Sequence, residues 1–158
     1  TPPLKALLFN GGALDCVGGG LQMLGRELLD PDGLEGAAGA SAAGLNLLPL
    51  QTRFGGSKAL RQRTAVAQWP TAEPCPIEGF ELHRGSTIAL EPLQALCQEE
   101  GLGWVQGQVA GSYLHGLLEN GRWRRQWLNQ LRRRKQLPEL AEDQGHHSLQ
   151  REERSILP

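Results

Sequence analysis

Apolar residues come in short bursts along this chain, and the spacing within each burst predicts an element. Leu4 to Phe9 is apolar and closes on Asn10-Gly11-Gly12, a turn or helix stop. Ala13 to Val17 suits a buried strand. It meets Gly18-Gly19-Gly20, after which Leu21, Met23, Leu24 and Leu28 recur at helical spacing. The expected unit is strand, glycine turn, helix, with Asp30-Pro31-Asp32-Gly33 stopping the helix. Gly36 to Gly44, rich in Ala, Gly and Ser, is expected to be loop. Leu45 to Thr52 starts or leads to a strand, and Leu60 to Gln68 alternates in part as another. The prolines between Trp69 and Pro76 mark a turn region. Phe80 to Arg84 alternates apolar and polar residues like a half-buried strand. Trp104 to Val109 and Ser112 to Leu114 add two short strands.

The strongest helical pattern is Arg122 to Gln136. Trp123, Trp127, Leu128 and Leu131 share one face and arginines cover the other. Leu137-Pro138 ends it. Beyond Glu139 no apolar period remains. This divides the chain into a domain at 1–138 and a polar tail at 139–158, expected to be disordered. Thr1 is not an initiator methionine, and a strong strand-turn-helix signal arrives within two dozen residues. The chain is therefore expected to be part of a longer polypeptide, with the opening strands of its domain missing.

Composition narrows the function classes. Hydrophobic residues at 39% and charged residues at 21% describe a chain that can bury a core. The 16 basic and 17 acidic side chains nearly cancel, which favours neither a nucleic-acid nor a membrane-surface partner. No apolar run approaches the roughly 20 residues of a membrane span, and no signal peptide is visible. Cys16, Cys75 and Cys97 are odd in number and far apart, without a CxxC pair. That pattern speaks against a zinc site or disulfide framework and for a cytoplasmic location. His146-His147 is too weak a signal for a metal.

Three constellations could carry chemistry. A sharp strand-to-helix turn, as expected at Val17-Gly18-Gly19-Gly20, exposes one side chain near backbone N–H groups and the positive end of a helix. A cysteine at such a tip has its pKa lowered, and the N–H groups can stabilise an oxyanion. A phosphate cradle would need GxGxxG or GxxxxGK[ST], and neither is present. A glycine turn that only packs a helix on a sheet remains open. Second, His115 ends a predicted strand in Gly111-Ser112-Tyr113-Leu114-His115-Gly116, a placement suited to a general acid or base and equally open to a structural histidine. Third, Glu81, His83 and Gly85 alternate on one strand and share a face, as a substrate wall or a hydrogen-bonded edge. The arginine face of the last helix could contact nucleic acid, but both tryptophans fall on its apolar stripe. A solvated face is the better reading.

In this order the segments resemble the C-terminal glutamine amidotransferase domain of the cobyric acid synthase family, a flavodoxin-like α/β domain of the class I, triad type. The elbow residues Val17, Gly19, Gly20, Gln22, Met23, Leu24 and Gly25 carry the likeness. So do Asp30 to Gly36, Gly44 to Leu48 with Thr52, Gly79 to His83 with Gly85 and Thr87, Tyr113 to Gly116, and Trp127 to Arg132. The resemblance implies that an elbow cysteine attacks the side-chain amide of glutamine, giving a glutamyl thioester and ammonia, while the histidine matching His115 moves the proton. Gly19, Gln22, Glu81 and His83 would bind substrate. A separate N-terminal synthase domain, using ATP and Mg2+, would amidate corrin side-chain carboxylates in cobalamin biosynthesis. No cofactor is implied for this chain itself.

One departure stands at the centre of the motif. Gly18 occupies the nucleophile position, and the nearest thiol, Cys16, lies two residues earlier, about 6.6 Å along a strand. His115 is followed two residues on by Leu117 rather than an acid. Three readings follow: a glutaminase portion impaired at Gly18, a docking or regulatory domain of the same fold without catalysis, and the related cobyrinic acid a,c-diamide synthase.

Overall fold

The computed structural model describes Leu4, Leu8 and residues 12–142. Leu4 and Leu8 are helical, and the rest of that apolar run lies outside the described residues. From there the order is β1 (Leu14–Val17), α1 (Gly19–Leu24), β2 (Glu27–Asp30), β3 (Ala40–Ala43), β4 (Leu50–Arg53), β5 (Ala59–Ala67) and β6 (Cys75–His83). Then come β7 (Ser86–Ala89), β8 (Gln94–Ala95), β9 (Gly103–Gln106), β10 (Val109–Ser112), β11 (Leu114–His115), a 3-10 turn (Leu117–Glu119) and α2 (Gly121–Arg134).

The expected α/β class holds, with the strands in three sheets among the described residues. The first runs β1-β10-β9-β8, the second β11-β6-β5 and the third β3-β2-β4-β7. Strand β1 lies parallel to β10, setting Cys16 beside Gly111 and Val17 beside Ser112. Strand β6 pairs antiparallel with both β5 and β11, so His115 stands opposite Phe80. Helices α1 and α2 each bury one face. Leu21 and Leu24 of α1 pack with Leu48, Leu50, Trp104 and Tyr113. Trp123 of α2 is fully buried among Ile77, Leu96 and Leu114, and its indole N–H donates to the Trp69 carbonyl at 2.7 Å. Burying such side chains stabilises a fold by about 1.5–3 kcal/mol each.

Several expectations need correction. The first helix does not reach Leu28: it stops at Leu24, and Glu27–Asp30 is a strand. Gly25 sits so close to β4 that a Cβ there would lie 2.8 Å from the Leu50 carbonyl oxygen, and the chain turns away into pairing with β4. Nor is Gly36 to Gly44 all loop. Ala40–Ala43 forms an edge strand on β2, a pairing made by its neighbour and not by its own small residues. Strand β6 begins at Cys75, inside the expected turn region and five residues before Phe80. The stretch expected as strands at Trp104 to Val109 and Ser112 to Leu114 divides instead at Gly107-Gln108 and at Tyr113 into β9, β10 and β11. Strands β7 and β8 were not expected. Strands β1, β4 and β5 and the last helix fall where the pattern put them, within a few residues. Of the polar tail, residues 139–142 are described, and they are exposed. Asn129, buried on α2, holds that stretch by exchanging two hydrogen bonds with the Leu140 backbone (2.8 and 3.0 Å). The tail from 143 onward, with His146 and His147, lies outside the described residues.

Candidate active site

The site forms where β1 delivers Gly18 to the start of α1. Gly18 has φ +58 and ψ −121, a conformation that L side chains rarely adopt. Its N–H donates to the Ser112 carbonyl at 2.9 Å, which fixes the tip of the bend against the end of β10. Ser112 also turns the chain into β11. Its buried hydroxyl donates to the Leu102 carbonyl (3.0 Å) and accepts from the Leu114 N–H (2.9 Å). These bonds bring His115 around to face the bend. A Cβ on Gly18 would lie 2.9 Å from His115 Nε2 and 3.2 Å from its Cε1. The expected elbow and the expected histidine therefore meet. Nε2 is buried and has no hydrogen-bond partner.

Gly79 makes this approach possible from below. Any Cβ there would stand 2.2 Å from the His115 carbonyl oxygen, so β11 can lie on β6 only across a glycine. Asn120 locks the far side. Its amide donates to the carbonyls of Glu78, Gly116 and Leu117, and its side-chain oxygen accepts from the Glu78 N–H at 2.9 Å.

Cys16 does not reach this meeting point. Its side chain packs with Leu14 against Leu21 and Leu24, and a Cβ on Gly20 would lie 3.7 Å from its Sγ. The thiol thus lies under α1, outside the cavity that Gly18 and His115 share. Burial, and then the neighbouring Asp15 charge, push it above its ordinary pKa. That is the reverse of activation. Asp15 is itself poorly placed as an anion. Burial pushes its carboxyl up to about 7, against one bond from the Cys16 N–H, and its Oδ1 has no partner.

The opposite wall is built differently. Glu81 is buried on β6 and meets Arg61 (2.8 and 3.1 Å), Arg63 (3.0 Å) and His83 (3.1 Å). The Arg63 contact is an ion pair without aligned hydrogen-bond geometry. Arg61 hydrogen bonding, with help from His83 and the Arg61 and Arg63 charges, outweighs burial and holds Glu81 below the usual carboxylate range. His83 is pinned at both ring nitrogens, by Glu81 and by the Gly85 carbonyl (3.0 Å), and stacks on Tyr113 with centroids 3.8 Å apart. Gln22, reaching over from α1, donates to the Tyr113 hydroxyl (3.2 Å) and to the Arg84 carbonyl (3.0 Å). Tyr113 in turn joins Thr87 (2.5 Å), and Thr87 joins Thr52 (2.6 Å). Burial raises the Tyr113 pKa despite those bonds, so it stays a neutral phenol.

Between the walls lies a cavity of about 590 Å³. Gly18, Gly19, Gln22, His83 and His115 all line it, as the sequence led one to expect. Glu81 stands behind His83 and does not line it. Sequence reasoning missed Glu35, Lys58 and Arg84 on the rim, and the supports Ser112, Tyr113, Thr87 and Asn120. Tyr113 and Thr87 were visible as motif letters, but their bond spans 26 positions and carries no local signal. Among the described residues no group of three or more His, Cys, Asp or Glu could hold a metal ion, and no helix is long and apolar enough to cross a membrane.

Residues 2–123 match the CobB/CobQ-like glutamine amidotransferase domain family. The chain belongs to that family. Its mixed sheets and few helices are those of a flavodoxin-like amidotransferase domain of this type. Three similar proteins are each named cobyric acid synthase. One, from Synechococcus sp. (strain RCC307), is 94% identical over 150 residues, covering 95% of this chain and 30% of its own length. Another, from Synechococcus sp. (strain WH7803), is 57% identical over 154 residues, covering 90% and 31%. The third, from Parasynechococcus marenigrum (strain WH8102), is 56% identical over 150 residues, covering 91% and 30%. The chain thus spans about 30% of the length of these relatives, and it is their amidotransferase portion that it matches.

Proposed function

We propose that this chain is the glutamine-handling part of a cobyric acid synthase-like enzyme, able to hold glutamine but impaired in hydrolysing it. The observation that carries the reading is the Gly18 bend lying against the His115 ring at one end of a cavity, with no thiol or hydroxyl on the bend. In an intact site of this kind a thiol on the bend attacks the amide carbonyl. The imidazole takes the thiol proton and hands it to departing ammonia, and water then releases glutamate. Here His115 retains the proton-handling position, and Gly19 offers its backbone N–H toward the carbonyl oxygen. Gln22 and His83 shape the pocket, and Glu81 orients His83. Without the attacking atom the rate falls by orders of magnitude.

The partner is an N-terminal synthase domain that uses ATP and Mg2+ to place ammonia on corrin carboxylates, working in the cytoplasm. The relatives' length supports a partner domain of that size, and their names favour this chemistry over a,c-diamide synthesis. A second reading follows from the same glycine: a docking or regulatory domain that binds its synthase partner whether or not glutamine is present.

Calorimetry with glutamine and an ammonia assay on the purified chain test the first reading. The expected result is saturable binding with ammonia release at buffer background. Robust release that Cys16→Ser abolishes would overturn the account of Gly18. Tight binding of the synthase portion without any glutamine affinity would favour the second reading.

A further inference from the structure

An antiparallel sheet with one face in water normally turns its polar residues outward. The β11-β6-β5 sheet departs from that rule at one end. Ala65 and Ala67 of β5 and Cys75 and Ile77 of β6 pack in the core. Alternation along each strand therefore puts Leu60, Gln62 and Thr64 of β5 on the outer face, with Glu78, Phe80 and Leu82 of β6. The register sets Leu60 opposite Leu82 and Gln62 opposite Phe80, while β11 sets His115 on the other side of Phe80. Leu60 is 69% exposed and Phe80 49%.

Single apolar side chains in water are ordinary. These are neighbours, because directly opposed and diagonal positions on one sheet face lie within contact range. The pair beyond them, Thr64 opposite Glu78, is polar. The apolar end is the one that meets the cavity, whose lining includes both Leu82 and His115. An aromatic and two aliphatic side chains with polar residues at the margin is the composition of an interface core.

We infer that this face docks the synthase portion of a longer polypeptide, which covers Leu60 and Phe80 and sits beside the His115 end of the cavity. The inference rests on the partner named above. Two observations select that occupant over a second copy of this chain. The chain matches only about 30% of its relatives' length, so in a polypeptide of that size a larger partner is tethered to it. Tethering gives an effective concentration on the order of millimolar. The patch also borders the end of the cavity where the amide nitrogen leaves. A synthase portion seated there brings the acceptor of that nitrogen, whereas a second copy brings none.

Iodoacetamide labelling, read by peptide mass spectrometry, tests the surface. Phe80→Cys is compared in the isolated chain and in a full-length polypeptide that joins the chain to the synthase portion of the 94%-identical relative. Ile88→Cys, at a position 55% exposed on the third sheet, is the control. The thiol at position 80 should react about tenfold more slowly in the full-length polypeptide, and the thiol at position 88 equally fast in both. Leu60→Glu, a charge placed on a side chain already mostly in water, should restore fast labelling at position 80. Slowing at position 88 alone would overturn the surface and leave the partner standing. Equal rates at both positions would also overturn it, and the partner falls too if the two portions sediment apart after a single proteolytic cut. Labelling at position 80 that slows with concentration in the isolated chain, together with sedimentation as a dimer, would give the face to a second copy instead.

Discussion

The two walls of the cavity differ in how completely their polar atoms are satisfied. On the opposite wall two hydrogen-bonded groups meet where His83 stacks on Tyr113: Glu81 with Arg61 and His83, and Tyr113 with Gln22, Thr87 and Thr52, while Arg63 adds an ion pair to the buried carboxylate without an aligned hydrogen bond. On the elbow wall, His115 Nε2 and Asp15 Oδ1 are buried without partners, and the nearby thiol points into the core. Buried polar groups are nearly always paired, so two orphans beside one bend set this wall apart. The hydrogen-bonded wall also ties the third sheet to Tyr113, between β10 and β11, whereas the tip of the bend is held by the bond from the Gly18 N–H to the Ser112 carbonyl.

The largest effect should come from refilling the bend. Gly18→Cys places a Cβ 2.9 Å from the far end of the His115 ring, which can retreat by a few tenths of an ångström. The new thiol should react with iodoacetamide at pH 7 about 100-fold faster than Cys16 does in the parent, since a thiol beside imidazole and a helix start is acidified. Equal labelling of both would mean that the imidazole and the helix start do not acidify a thiol on the bend. Gly79→Ala attacks the join between the walls. Its Cβ meets a backbone oxygen at 2.2 Å, which cannot yield, and unfolding in urea should reveal a loss of about 3 kcal/mol. Unchanged stability would show that β11 is free to move away from β6.

Asp15 offers a pH test of the unsatisfied wall. Its folded pKa, about 7, lies above its ordinary 3.8, so the folded state holds the proton more firmly. Stability from this group is complete below the unfolded value and lost as pH rises toward 7, at up to about 1.4 kcal/mol per pH unit. Asp15→Asn should flatten that slope in denaturation curves collected from pH 5 to 8. A parent whose stability rises over that interval would contradict the burial argument. Cys16→Ser should do least: no change in glutamine affinity and a stability loss of about 1 kcal/mol from a polar atom in an apolar contact.

Much of this site was legible in the chain because its parts are local. A triple glycine between an apolar run and a helical period announces a bend whatever the rest of the fold does, and His115 before a glycine announces a strand end. That the two meet depends on β1 pairing with β10, a contact across some 95 positions. Only the family resemblance suggested it. Leu24 and Leu28 share helical spacing, yet the second lies on a strand. The close approach of Gly25 to Leu50 decides the matter, and no local pattern encodes it. Glu35 and Lys58 escaped notice for the same reason: each is an ordinary loop charge until the third sheet brings it to the cavity.

The backbone at Gly18 has one more consequence. A residue with a side chain would bear about 1–2 kcal/mol of torsional strain at φ +58, and glycine bears almost none. With glycine there the bend is relaxed. Any side chain placed on it winds a spring, and the domain would then fold with a smaller margin than it has now.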